Sequence, residues 1–241
     1  MVIYGKKSHI SVSLFSGGQD SSICLAWALD NYDYVETIGF NYGQRHIVEM
    51  EARKNIINAI KKKFPNFSKK IGTDTILEID FIKKLCKTSL TEVNKITYDH
   101  NNIPSTFVPG RNLLFLTAAA SLCFVKNINV IIGGMCESDF SNYPDCTERS
   151  VISMENALKI GLGNMNLKIQ TPLMHINKAY SWKLAYSIGK ELLVNIILEY
   201  SHTCYLGDRS NRYEWGYGCG KCPACILRRN GWIEWNLIKK H

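Results

Sequence analysis

Four cysteines near the end of the chain, Cys204, Cys219, Cys222 and Cys225, follow the pattern C-x14-C-x2-C-x2-C. Closely spaced thiolates can close around one tetrahedral ion while a fourth ligand arrives from farther along the chain. Four thiolates leave no open position, so the pattern points to a structural zinc site, with Lys221, Arg228 and Arg229 offsetting its negative charge. An iron–sulfur cluster is the rival, because C-x2-C-x2-C also occurs in ferredoxins. His202 is expected beside this site rather than in it. Of the other five cysteines, Cys24, Cys86 and Cys123 lie in apolar, helical settings and read as core. Cys136 and Cys146 fall in loops, where packing and chemistry are both open.

A second constellation is SLFSGGQDSS, Ser13 to Ser22. Gly17 and Gly18 let the backbone approach an anion closely and adopt positive φ. A helix following them turns unsatisfied N–H groups and its positive dipole end toward that anion. Ser16, Ser21 and Ser22 add hydroxyl donors. Asp20 sits awkwardly beside phosphate charge unless a divalent cation lies between them, which suits Mg²⁺. The expected ATP contacts are Leu14, Phe15, Ser16, Gly17, Gly18, Gln19, Asp20, Ser21 and Ser22, with Arg111 as a phosphate clamp. No GK[ST] follows, so this is not a Walker A loop. It resembles the PP-loop of the ATP pyrophosphatase superfamily, whose members typically split ATP to AMP and pyrophosphate and adenylate a carbonyl or carboxylate oxygen.

Further chemistry-bearing residues cluster after the apolar segments. Arg45 suits a bidentate carboxylate or phosphate contact. His46 suits proton handling near neutrality. Both are candidate catalytic residues, with Lys178 as a third that would neutralise phosphate charge. Gln44, Asp139 and Asp145 could contact a substrate, and Tyr143 or Phe107 could stack on its ring. The bland alternatives are loop capping, packing and solvated surface.

These residues need a scaffold. Apolar runs at 10–15, 34–41, 74–80, 129–135 and 167–173 read as strands, the last, containing Pro172, as an edge or an end. Helical patterns cover 21–31, 47–64, 112–126, 147–161 and a segment from the Asn177 cap to about Leu193, with a short helix at the end. Strands alternating with helices predict a doubly wound, parallel α/β sheet, with ligands beyond the C-terminal strand ends. SGGQDS, NYGQRH and GGMCESD all follow strands and should converge on one crevice. Residues 1–200 read as the nucleotide-binding α/β domain and 201–241 as a zinc-binding extension packed on it.

Composition is that of a globular protein: 46% hydrophobic and 21% charged among 241 residues. Nine cysteines and no apolar leader argue against a disulfide framework and for the cytoplasm. No stretch is long and apolar enough to span a bilayer. The net charge of +8 suits anionic partners without choosing among them.

Several matches then coincide: FSGGQDS at 15–21, YGQRH at 42–46 followed by Glu49 and Ala52, VPGRN at 108–112, GG at 133–134, Asp139 with YPDC at 143–146, TPL at 171–173 with Lys178, and Cys204-Tyr205 before CGKCPAC at 219–225. Together they resemble the 7-cyano-7-deazaguanine synthase family over nearly the whole chain. The resemblance implies conversion of 7-carboxy-7-deazaguanine to the nitrile with free ammonia and ATP, through adenylate and amide intermediates. It also implies a homodimer. The gap between the first two metal cysteines is longer than the family pattern, and the extra residues near 208–215 are expected to enlarge a surface loop. Two rivals stand beside this reading. One is a tRNA-modifying, sulfur-transferring PP-loop enzyme, or a related ligase stopping at the amide. The other is a zinc-ribbon nucleic-acid module on a degenerate nucleotide fold. No separate RNA domain is evident, so no stable nucleic-acid partner is expected.

Overall fold

In a computed structural model, residues 9–42, 48–79, 81–82, 88, 97, 100, 103–137 and 143–239 are described. Five short strands form one parallel sheet: β1 (Ile10–Leu14), β2 (Tyr34–Asn41), β3 (Ile71–Glu78), β4 (Val130–Ile132) and β5 (Lys168–Gln170), in the order β3-β2-β1-β4-β5. Strand β5 is an edge, which suits the Pro172 that follows it. Chain order reverses at β1, so the crevice beyond β1 and β4 is the topological switch point where ligands bind in open α/β sheets.

Helices cover both faces. On one side lie α1 (Gln19–Asn31), α2 (Val48–Lys63) and α6 (Lys178–Tyr200), joined in one core through Ile23, Leu25, Ile56, Ile60, Trp182, Leu193 and Ile197. A single turn, α3 (Pro65–Ser68), follows α2. On the other side α4 (Arg111–Lys126) and α5 (Glu148–Gly161) pack Leu116, Ala120, Val151 and Leu158 against Val12, Ile38 and Phe40 of the sheet. Apolar cover on both faces explains the near-continuous hydrophobic strands.

Boundaries agree with the sequence expectation for most elements and depart at the C-terminal end. Asn177 caps α6 as expected, accepting from Tyr180 N at 3.0 Å, but the helix runs on to Tyr200 past a break at Gly189 and Lys190. The last helix, α7 (Pro223–Lys239), is a full four turns rather than a short one. Its buried residues Ala224, Arg228, Gly231 and Trp235 recur at helical spacing and face α6, where Trp182 meets Trp232 edge-on at 5.2 Å. Gly231 is needed there, since a Cβ would lie 2.6 Å from the Lys178 Cβ. The long gap between Cys204 and Cys219 adds exposed chain at 210–214, as expected, but it is not irregular. It folds into a small hairpin, β6 (Arg212–Tyr213) and β7 (Gly216–Tyr217), whose Trp215 is buried against the cysteines. No described helix is long and apolar enough to cross a membrane.

Candidate active site

Strand β1 ends at Leu14, and the chain turns through Ser16, Gly17 and Gly18 into α1. Gly17 has φ +87°, and a Cβ there would meet Glu49 O at 2.9 Å and Arg53 N at 3.0 Å, so the turn tolerates only glycine. Hydroxyls brace the loop from within. The Ser16 amide donates to Ser21 Oγ at 3.2 Å, and Ser22 Oγ donates to Gly18 O at 2.6 Å. Gly134, after β4, lies beside Asp20 and Ser21 at the start of α1.

This loop opens onto a cavity of about 320 Å³, within the range of small-molecule sites. Of the predicted nucleotide residues, Leu14, Phe15, Ser16, Gly18, Gln19, Asp20, Ser21 and Arg111 line it, while Gly17 and Ser22 lie behind the lining. Lys178, from the first turn of α6, also lines it and holds both Asp20 oxygens at 2.9 and 2.8 Å. The Asp20 carboxylate therefore has a protein counter-ion. Gln19 turns away from the loop, donating to Ser181 Oγ at 3.2 Å.

Arg111 begins α4 and reaches across the cavity mouth toward the end of β2. Its guanidinium donates to Tyr42 Oη at 3.4 Å and lies over the Tyr42 and Phe115 rings. Burial opposes its charge, but Tyr42, Tyr143, Cys146 and Asp145 outweigh that and keep it cationic. Glu49, in the first turn of α2, lines the same region. Burial pushes its carboxyl up to about 7, with Arg111 partly opposing.

The expected ring-binding residues divide. Tyr143 lines the cavity, stacks on Phe107 at 5.5 Å and shares a 2.6 Å hydrogen bond with Thr106. Phe107 itself is behind it. Asp145 is buried and caps α4, accepting from Asn112 N and Asn112 Nδ2 at 3.0 Å each, so both oxygens are engaged away from the cavity. Cys146 faces the cavity, but burial and the nearby Asp145 push its thiol up to about 12, so it is not a thiolate near neutrality. Gln44, Arg45, His46, Asp139 and Cys86 lie outside the described residues.

Among the charged lining residues, Arg53 carried no sequence expectation, Glu49 appeared only as part of a motif without a role, and Arg228 was expected beside the metal cysteines rather than at the cavity. Both arginines are buried, standing on the apolar faces of α2 and α7, and a cation within such a stripe is a usable signal. Arg53 pairs with Asp74 and lies over the Phe15 ring at 4.9 Å. Arg228 donates to Trp215 O, Thr203 Oγ1 and Ile197 O at 2.7, 3.0 and 3.3 Å, tying hairpin, strap and α6 together.

Behind the phosphate loop, residues 201–205 form a strap to the cysteine cluster. His202 N donates to Gly17 O at 3.0 Å, and its imidazole Nε2 contacts Cys204 O at 3.1 Å. The Cys204, Cys219, Cys222 and Cys225 sulfurs lie within 4.8 Å of one another, with Cys204–Cys222 and Cys219–Cys225 both at 3.9 Å. A tetrahedral ion with zinc–thiolate bonds would set its sulfurs ~3.8 Å apart, so the cluster fits such an ion. Backbone N–H groups of Lys221 and Cys222 donate to Cys219 Sγ at 3.4 and 3.3 Å, as a thiolate ligand requires.

A five-stranded parallel sheet in the order β3-β2-β1-β4-β5, with SGGQDS leading from β1 into α1, has the PP-loop type of α/β fold. The crystal structure of a 4-thiouridine synthetase–RNA complex with bound ATP shares this fold, with a TM-score of 0.51 and 16% identity. The match covers 96% of this chain and 52% of that one, so this protein spans about half its length. Within the class, the chain belongs to the queuosine biosynthesis protein QueC family, whose model matches residues 10–236. A Bordetella pertussis protein named 7-cyano-7-deazaguanine synthase is 50% identical over 222 residues, covering 92% of this chain and 91% of its own. A Caulobacter vibrioides protein of the same name is 47% identical over 232 residues, covering 96% of each.

Proposed function

We propose that the protein is an ATP-dependent carbon–nitrogen ligase that converts 7-carboxy-7-deazaguanine and ammonia to 7-cyano-7-deazaguanine in queuosine biosynthesis. The family match over residues 10–236 carries this reading, and the cavity supplies the chemistry it needs. An oxide is a poor leaving group, and transfer of AMP to the carboxylate makes it a good one. The pyrophosphate end of ATP would rest on Gly18 and the start of α1, where N–H groups and the helix dipole favour an anion. Lys178 and Arg111 flank that position with two positive charges, while Asp20 would share a Mg²⁺ ion with the phosphates. Ammonia would displace AMP to give the amide, and a second adenylation, at the amide oxygen, would allow its loss as the nitrile forms.

Arg45 is assigned to the substrate carboxylate and His46 to a proton near the nitrogen. Gln44, Asp139 and Tyr143 are assigned to the deazaguanine, with Phe107 backing Tyr143 and Asp145 acting through the cap of α4. Zinc in the four-cysteine cluster would be structural, fixing the strap and the start of α7. The protein is read as a cytoplasmic homodimer.

The test is incubation of metal-replete protein with 7-carboxy-7-deazaguanine, ammonium, Mg²⁺ and ATP, followed by product mass. Nitrile is the expected product. Amide alone would mark a related ligase, and neither product, with ATP still bound, would defeat the proposal.

A further inference from the structure

Two carboxylates among the described residues line the cavity, Asp20 and Glu49. Asp20 is held by Lys178. Glu49 makes no hydrogen bond or ion pair to a described residue, although it stands within the first turn of α2 with its backbone carbonyl against Gly17 of the phosphate loop. Among the described residues, the charged and titratable groups facing its side chain are Arg111 from α4 and Tyr42 from the end of β2. Among the described residues, Asp145 is committed to Asn112 and Cys146 to the thiol form, while His46 lies outside them and is the rival base that the test below separates from Glu49.

The reaction read above sheds protons at nitrogen in two stages. When ammonia attacks the acyl adenylate, the C–N bond forms, the C–O bond to AMP breaks with its electron pair leaving on AMP, and one proton must depart the nitrogen. In the second stage the amide nitrogen loses its two remaining protons, one as the amide oxygen is adenylated and one as the second C–O bond breaks in the same way and the C≡N bond completes. Both stages need a base that is half-ionised near neutrality and open to the cavity.

We propose that Glu49 is a catalytic residue for this reaction, the acceptor of the proton that leaves the reacting nitrogen. This rests on the ligase reading. Arg111 would keep part of the carboxylate ionised in its half-buried setting, and burial places its titration at about 7, where a base both accepts and releases protons readily. Its position beside Gly17 sets it at the loop that would present the adenylate.

The test separates activation from amidation. Carboxylate activation is read by exchange of labelled pyrophosphate into ATP without ammonium, and amidation by product mass as a function of pH, with rates expressed per free ammonia. Glu49→Gln should keep pyrophosphate exchange within about threefold and lower amide formation by about 100-fold or more. Wild-type protein and Glu49→Asp should show a limb rising through pH ~7 that Glu49→Gln lacks. The proposal is overturned if Glu49→Gln amidates at the wild-type rate, or if it loses exchange as fully as amidation. It is also overturned if His46→Asn removes the limb while Glu49→Gln keeps it. The wild-type profile alone tests the idea should Glu49→Gln not fold: no limb near 7 removes it. Wild-type protein with neither exchange nor amide would defeat the ligase reading first, and Glu49's role with it.

Discussion

Lys178 grips both carboxylate oxygens of Asp20, at 2.9 and 2.8 Å, across 158 residues of chain. The pair joins the first turn of α1 to the first turn of α6. It sets the Lys178 ammonium beside Asp20 in the lining of the cavity. Lys178→Met keeps the apolar stem against Gly231 but leaves Asp20 without its counter-ion. ATP affinity should fall at least tenfold, about 1.4 kcal/mol, while the thermal midpoint stays within about 5 °C. Calorimetric titration with ATP checks this, and an unchanged Kd would rule out a charge role for Lys178.

Gly17 and Gly163 both have positive φ, at +87° and +63°, but only Gly17 has atoms in the space a Cβ would fill. Gly163→Ala should therefore cost only backbone strain, about 1 kcal/mol. Gly17→Ala adds a collision with Glu49 O and Arg53 N and should cost about 2–4 kcal/mol, with loss of ATP binding. Urea denaturation of the two variants gives the comparison, and equal losses would show that the close approach is unimportant.

Removing one sulfur from the cluster leaves three thiolates around the ion and frees the strap. Cys222→Ser should lower metal content well below one ion per chain by elemental analysis and destabilise the fold by several kcal/mol. Zinc without visible absorption is the expected occupant, and a brown, iron-containing protein would replace zinc with an iron–sulfur cluster. Full stability in Cys222→Ser would argue that the ion is not structural.

Glu49 should leave a mark on stability as well as on rate. Its carboxyl rises from 4.5 to about 7 on folding because burial disfavours the charge. The native state then holds a proton that the unfolded chain releases, so between pH ~4.5 and ~7 stability from this group falls as pH rises. Below that window both states are protonated, and above it both are ionised. Glu49→Gln should flatten this slope in denaturation measured from pH 4.5 to 7.5. A slope identical to wild type would show that Glu49 is not perturbed.

Much of this was legible in the sequence because the physics involved is local. Alternating buried strands and amphipathic helices gave the sheet, Gly17-Gly18 before a helix gave the loop, and cysteine spacing gave the cluster. What was not legible depends on distant partners. Asp145 reads as a free acceptor until Asn112 is brought to it from 33 residues away. Lys178 reads as a cation for phosphate charge, but its pairing with Asp20 emerges only when α6 is set against α1. The hairpin around Trp215 is hidden because two-residue strands carry no periodicity, and the sequence reading of α6 passes through the break at Gly189 but stops near Leu193, short of Tyr200. Glu49 was noticed in a motif, but nothing in its neighbours along the chain discloses burial beside Arg111.

The strap from Ser201 to Tyr205 has a thermodynamic consequence. Because His202 N bonds Gly17 O while Cys204 belongs to the cluster, the loop and the sulfur site share one short piece of backbone. Two ligands that each favour the same arrangement of that backbone must favour each other, by equal factors in both directions. Nucleotide occupancy should therefore slow escape of the ion to a chelator, and demetallation should weaken nucleotide by the same factor. A buried ion some residues away from the chemistry would thus act as a reciprocal ligand of the ATP site.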